Sequence, residues 1–173
     1  MAVARSVVEG GYADEVWMMP CRRNPLKTDS DPWDPCRRIR LIEEAVCYYS
    51  DDRIKVSRQE LEMPEPSYTV DTLRSLMEKY PDFHFRLIVG ADSYLNFNKW
   101  KDWKWIEANA RPIVYPRPGY HIESLRPRWT ELKGVGLHDI SSSQIREMIE
   151  EGKDVEKWMP WHPQHRGNNK NKI

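Results

Sequence analysis

The chain's most constraining feature is its rhythm, in which short apolar runs alternate with longer stretches whose apolar residues recur at helical spacing. The runs lie at residues 16–19, 54–56, 84–90, 112–115 and 135–140. Between them, Ile39, Ile42, Ala45, Val46 and Tyr49 mark one face of a helix over 36–49. Val70, Leu73, Leu76 and Met77 mark another that ends near Pro81. Strands separated by helices need crossover connections, and these build a parallel sheet with helices on both faces. Unbroken apolar runs such as 16–19 and 87–89 suit strands buried on both faces of such a sheet.

Punctuation places the remaining elements. Residues 2–8 read as a helix that stops at Gly10 and Gly11, because paired glycines supply the left-handed turn that ends helices. Residues 21–35 and 60–66 read as proline-broken loops, 93–109 as helical pieces and 142–151 as a last helix. The layout is a Rossmann-like α/β fold, one domain over residues 1–160, followed by a polar tail at 161–173. With 173 residues, the chain is long enough to bury a core without disulfide or metal staples.

Charge narrows the function classes. Lys and Arg number 27 and Asp and Glu number 27, so no overall field would hold the chain on nucleic acid or an anionic membrane. Any anion site is therefore local. No apolar run is as long as a membrane span. The odd set Cys21, Cys36 and Cys47 lacks metal-ligand spacing and fits reduced thiols in a cytoplasmic protein, and residues 1–10 carry no export-signal pattern.

Open parallel sheets bind ligands beyond the carboxyl ends of their strands, which directs attention to the residues just after each run. Gly90 and Asp92 follow the best strand. The glycine lets backbone approach a ligand, and the carboxylate accepts from ribose hydroxyls, holds a cation, or acts only as a helix cap. Residues 139–146 (DISSSQIR) run from a strand end into a helix. Ser141 and Gln144 form a capping box there, while Ser142, Ser143 and the Arg146 fork suit a phosphate at the helix N-terminus. An ordinary capped helix is the plainer reading. Trp100, Trp103 and Trp105 interleave with Lys99, Lys101 and Lys104, as either a stacking platform or packing. Arg117 opens a Pro-Gly turn after another strand, and residues 66–73 (PSYTVDTL) open a helix. Arg22, Arg23 and Lys27 are basic residues near the first strand, and no histidine pair has zinc-site spacing. Walker A, nucleophile-elbow and dinucleotide glycine motifs are absent from these residues.

In order and spacing, DEVW at 14–17, PSYTVDTL at 66–73, LIVGADS at 87–93 with Trp100 beyond it, RPGY at 117–120 and ISSSQIR at 140–146 resemble the bacterial nicotinate-mononucleotide adenylyltransferases. The resemblance covers about residues 1–160. It implies transfer of the adenylyl group of ATP, with Mg²⁺ on the triphosphate, to nicotinate mononucleotide. Gly90, Asp92, Ser142, Ser143 and Arg146 would serve ATP, and Thr72, Trp100, Lys101 and Arg117 the pyridine nucleotide. The family's GGxFDPxHxGH segment is not among the 173 residues, and Met1 aligns with the helix after it. The expectation is therefore a sheet without its first strand, with the catalytic histidines unassigned. An inactive remnant or nucleotide-binding module, and a sister enzyme such as a phosphopantetheine adenylyltransferase, are the alternatives; a pantetheine arm has no flat ring for Trp100.

Overall fold

A computed structural model describes residues 1–20, 34–136, 140 and 142–160. Helix α1 (Ala2–Glu9) buries Ala4, Val7 and Val8 on one stripe. It ends as expected: the Gly10 N–H donates to Ser6 O, Gly11 takes φ +67°, and the Tyr12 N–H returns to Val7 O. Strand β1 (Val16–Met18) follows, and only Val16 in it is fully buried, so the expectation of burial on both faces fails at Trp17 and Met18. Helix α2 (Pro35–Tyr49) carries the chain to β2 (Ile54–Val56), which pairs parallel with β1, Val16 opposite Ile54.

Residues 60–66 are not all loop. A short helix, α3 (Gln59–Glu62), precedes Pro64 and Pro66, and α4 (Thr69–Lys79) follows with Val70, Thr72, Leu73 and Leu76 buried. Strand β3 is only Ile88–Gly90, although the apolar run begins at residue 84. The Arg86 side chain lies in that run, outside the strand. It donates to Arg111 O, to Tyr12 O and to Thr130 Oγ1 at 3.1, 2.9 and 2.7 Å, tying the α1–β1 turn to the far strands. Helices α5 (Ala91–Leu95) and α6 (Trp103–Ala110), with a 3₁₀ turn at Phe97–Lys99 between them, lead to β4 (Ile113–Tyr115).

The next strand is β5 (Thr130–Glu131) rather than the expected 135–140: Val135 and Gly136 are not in a strand, and residues 137–139 lie outside the described residues. Helix α7 (Ser142–Glu150) closes the described elements.

Among the described residues the strand pairings are parallel, and the strands form two sheets, β1-β2 and β3-β4-β5. One core nonetheless spans both, because Val7, Val8, Val16, Ile54, Ile113 and Leu132 pack together. A second core, centred on Phe97, Ile106 and Val114, lies under α4, α5 and α6. Register places Gly90 opposite Tyr115 at the carboxyl ends of β3 and β4. That rim is where a parallel sheet presents its ligand site.

Candidate active site

The chain folds Gly90, Asp92 and Arg117 into one group at this rim. Arg117 Nη1 donates to Asp92 Oδ2 at 3.1 Å. The other carboxylate oxygen, Oδ1, is shielded from solvent and lacks a hydrogen-bond partner among the described residues. A buried acceptor without a donor is costly, and a hydroxyl or N–H from a ligand would satisfy it. Gly90 makes the space. A Cβ there would press on Asp92 Oδ1 and lie 2.8 Å from Arg117 Cδ and 3.2 Å from Tyr115 Cζ. Asp92 is not a cap: the N-cap of α5 is Gly90, and Asp92 stands in the first turn with its side chain turned to Arg117.

Tyr115 belongs to this group and was missed in the sequence, although its place as the last residue of an apolar strand was a usable signal. Burial pushes its phenol pKa up, with the Arg117 charge opposing and Asp92 adding to the rise. Residues 117–120 make the expected turn, with Gly119 at φ +80° and the Tyr120 N–H on Arg117 O.

Lys101, next to Trp100, is joined to Asp71, the residue before Thr72. Thr72 is 3% exposed, held in the first turns of α4, and its hydroxyl donor lies within reach of Glu60 Oε1 at 3.0 Å and Tyr68 O at 3.3 Å. Lys101 Nζ bonds Asp71 Oδ2 at 2.8 Å and stands 4.6 Å from the Tyr68 ring centre. Arg74 reaches Asp102 at 3.1 Å, so the segment carrying Trp100 is pinned to α4 at two points. Trp100 is half-buried against Phe97, ring centres 5.2 Å apart. Trp103 and Trp105 pack on the same core, with Arg126 and Arg74 over their rings at 5.1 and 4.8 Å, which favours packing over a platform for these two.

Ser142, Ser143 and Arg146 share the first turns of α7, and Arg146 Nη2 donates to Ser143 Oγ at 3.1 Å. The helix is anchored by Ile145, Met148 and Ile149, which pack with Leu41 of α2 and with Val155 and Met159. Ser141, and with it the capping box, lies outside the described residues, as do His138, Asp139, Arg22, Arg23 and Lys27. Among the described residues there is no cluster of three or more His, Cys, Asp or Glu fit for a metal, and no helix is long and apolar enough to cross a membrane.

The cytidylyltransferase-like family model matches residues 1–148. A Bacteroides fragilis (strain YCH46) protein named "probable nicotinate-nucleotide adenylyltransferase" is 35% identical over 164 residues, covering 94% of this chain and 80% of that protein. A Bacteroides thetaiotaomicron protein of the same name is 37% identical over 164 residues, covering 94% and 79%. In three dimensions the chain resembles the Plasmodium falciparum nicotinic acid mononucleotide adenylyltransferase complexed with NaAD. The TM-score is 0.67 at 19% identity, covering 90% of this chain and 78% of that one. The complex of that enzyme with APC gives the same score, covering 94% and 82%. Sequence and fold converge: the chain belongs to the nicotinate-nucleotide adenylyltransferases, within the cytidylyltransferase-like family.

Proposed function

We propose that this chain transfers the adenylyl group of ATP to nicotinate mononucleotide, in the cytoplasm. A phosphate oxygen of the mononucleotide attacks the α-phosphorus of ATP, the bond to the bridging oxygen of the β-phosphate breaks, and nicotinate adenine dinucleotide and pyrophosphate leave. No protein nucleophile is required. The protein's task is to align the two phosphates and to offset the charge that develops between them. ATP arrives with Mg²⁺ on its triphosphate, so the metal is part of the substrate.

The observation that carries this reading is the donor-hungry Asp92 Oδ1 beside Gly90 and Arg117 at the open rim of β3 and β4. In our reading Asp92 receives sugar hydroxyls of the nucleotide, and Gly90 lets the backbone approach. Arg117 lies by the mononucleotide phosphate, where its fork can pair two oxygens. Trp100 stacks on the pyridine ring, with Lys101 beside it, and Thr72 reads the ring substituent. Ser142, Ser143 and Arg146 hold the ATP phosphates at the α7 N-terminus.

The test is pyrophosphate release by the purified chain supplied with MgATP and nicotinate mononucleotide, with the dinucleotide product identified by mass. Turnover dependent on both substrates supports the reading. Binding of both nucleotides without product replaces it with that of a nucleotide-binding module, and absence of binding overturns it.

A further inference from the structure

Glu60 has no place in the reading above, yet it touches one of its residues. The Thr72 hydroxyl has one proton and two lone pairs. Its two neighbours in the protein, Glu60 Oε1 at 3.0 Å and Tyr68 O at 3.3 Å, are both acceptors when Glu60 is ionised. The proton is then spent inside the protein, and only a lone pair faces outward. A lone pair suits the N–H of an amide and repels a carboxylate. A protonated Glu60 can give its proton to Thr72 Oγ1, which frees the threonine's own proton to be shared between Tyr68 O and a ring carboxylate.

We propose that Glu60 is a positioning residue that sets substituent specificity through Thr72. Protonated, it makes Thr72 a donor that selects a pyridine mononucleotide bearing a carboxylate. Ionised, it makes Thr72 an acceptor that favours the amide. The inference rests on the reading of Thr72 as the residue that meets the ring substituent.

The surrounding bonds hold Glu60 to this task. Gln59 Nε2 donates to Ser75 Oγ at 3.1 Å and Lys79 Nζ to Gln59 Oε1 at 3.3 Å, so α3 is fastened to α4 through Gln59, on the C-terminal side of the Thr72 contact. The two elements that meet at this contact carry Arg58 and Glu62 beside Glu60 in the chain and Asp71, Arg74, Glu78 and Lys79 on α4. Arg58 is bonded to Glu43, Asp71 to Lys101 and Arg74 to Asp102. What moves the Glu60 carboxyl is burial, which raises its hold on a proton, with the Thr72 hydroxyl opposing. A ring carboxylate arriving nearby would raise it further.

The experiment is calorimetric binding of nicotinate mononucleotide and of nicotinamide mononucleotide to the wild-type chain and to Glu60→Gln, from pH 5 to pH 9. The two ligands share ring, ribose and phosphate, so the ratio of their affinities isolates the substituent. In the wild type the preference for the acid should fall by about tenfold per pH unit once Glu60 ionises. In Glu60→Gln the amide N–H stands permanently for the protonated acid, and the ratio should stay level. Should the variant fail to fold, the wild-type profile decides alone. Binding of both ligands with a pH-independent wild-type ratio overturns this proposal and leaves adenylyl transfer standing. Binding of neither overturns both.

Discussion

Arg117 reaches from beyond the end of β4 to the Asp92 carboxylate, 3.1 Å away, and so joins two strand ends across the gap left by the missing side chain of Gly90. Both partners are about a third exposed, at 37% and 32%. A pair so open to water contributes roughly 0.2–1 kcal/mol to folding. Arg117→Ala should therefore lower stability by less than about 1 kcal/mol while, if Arg117 meets the mononucleotide phosphate as proposed, weakening the mononucleotide by on the order of tenfold or more through loss of a charge-assisted contact. Urea unfolding and titration calorimetry on the same preparation check it. A stability loss that matches the affinity loss would make the pair structural.

Gly90→Ala tests the space rather than the backbone. Gly90 has φ −77° and ψ 160°, which any residue adopts, so its effect must come from the new Cβ meeting Asp92 and Arg117. Overpacking of this kind costs about 1–3 kcal/mol. The expected outcome is a stability loss in that range, recovered in part when Arg117→Ala is added, because the atom at 2.8 Å has then gone. Loss unchanged in the double variant would place the clash elsewhere.

The rim was largely legible in the sequence because it depends on local pattern. The run LIVG marks where β3 ends, and Asp92 and Arg117 each stand two residues past the end of a strand. Glu60 was not legible. It sits in a four-residue helix among prolines, twelve positions before Thr72, and nothing in its neighbours announces that the chain folds back to bring the two within 3.0 Å. The start of β3 differs for a related reason: residues 84–87 continue the run in the sequence, whereas the backbone partners that define a strand lie far away in the chain, and His84 is exposed. The same holds for β5, a two-residue strand whose pairing with Ile113 and Val114 no periodicity can carry.

Arg86 yields a prediction about folding alone. Its three hydrogen bonds connect Tyr12, Arg111 and Thr130, and Tyr12 precedes β1, whose sheet no ladder joins to β3-β4-β5 among the described residues. Burial lowers the pKa of its guanidinium, which nonetheless stays charged. Replacing it by Met keeps much of the apolar stem and removes all three donors. The loss should be about 2–4 kcal/mol, on the scale of hydrogen bonds to a charged group. Thermal unfolding reads it, and a variant as stable as the wild type would show that water replaces the guanidinium without cost.

The proposed stacking on Trp100 predicts different effects on the two nucleotides. Its ring contacts Phe97 on the core side, so truncation removes both packing and the surface offered to a flat ligand. Base-on-aromatic stacking is worth about 1–3 kcal/mol. Trp100→Ala should raise the KM for the pyridine mononucleotide by roughly tenfold or more and that for ATP by much less. Steady-state kinetics with each substrate varied in turn distinguish the cases, and equal changes in both KM values would remove Trp100 from the ring site.

Glu60 also makes a prediction about stability, independent of any ligand. Burial raises its folded pKa above the ordinary carboxyl value, and the Thr72 hydroxyl only partly opposes this. The folded state therefore binds the Glu60 proton more tightly than the unfolded state does. The stability this contributes is complete below the ordinary carboxyl range and is lost as pH rises through the folded value. Glu60→Gln cannot titrate, so its stability relative to the wild type should improve across that window and level off above it. Urea midpoints of both proteins between pH 4 and pH 8 give the comparison. A difference that stays flat, or that moves against the variant as pH rises, would mean that the charged carboxylate is held by a favourable contact and that burial does not govern its proton.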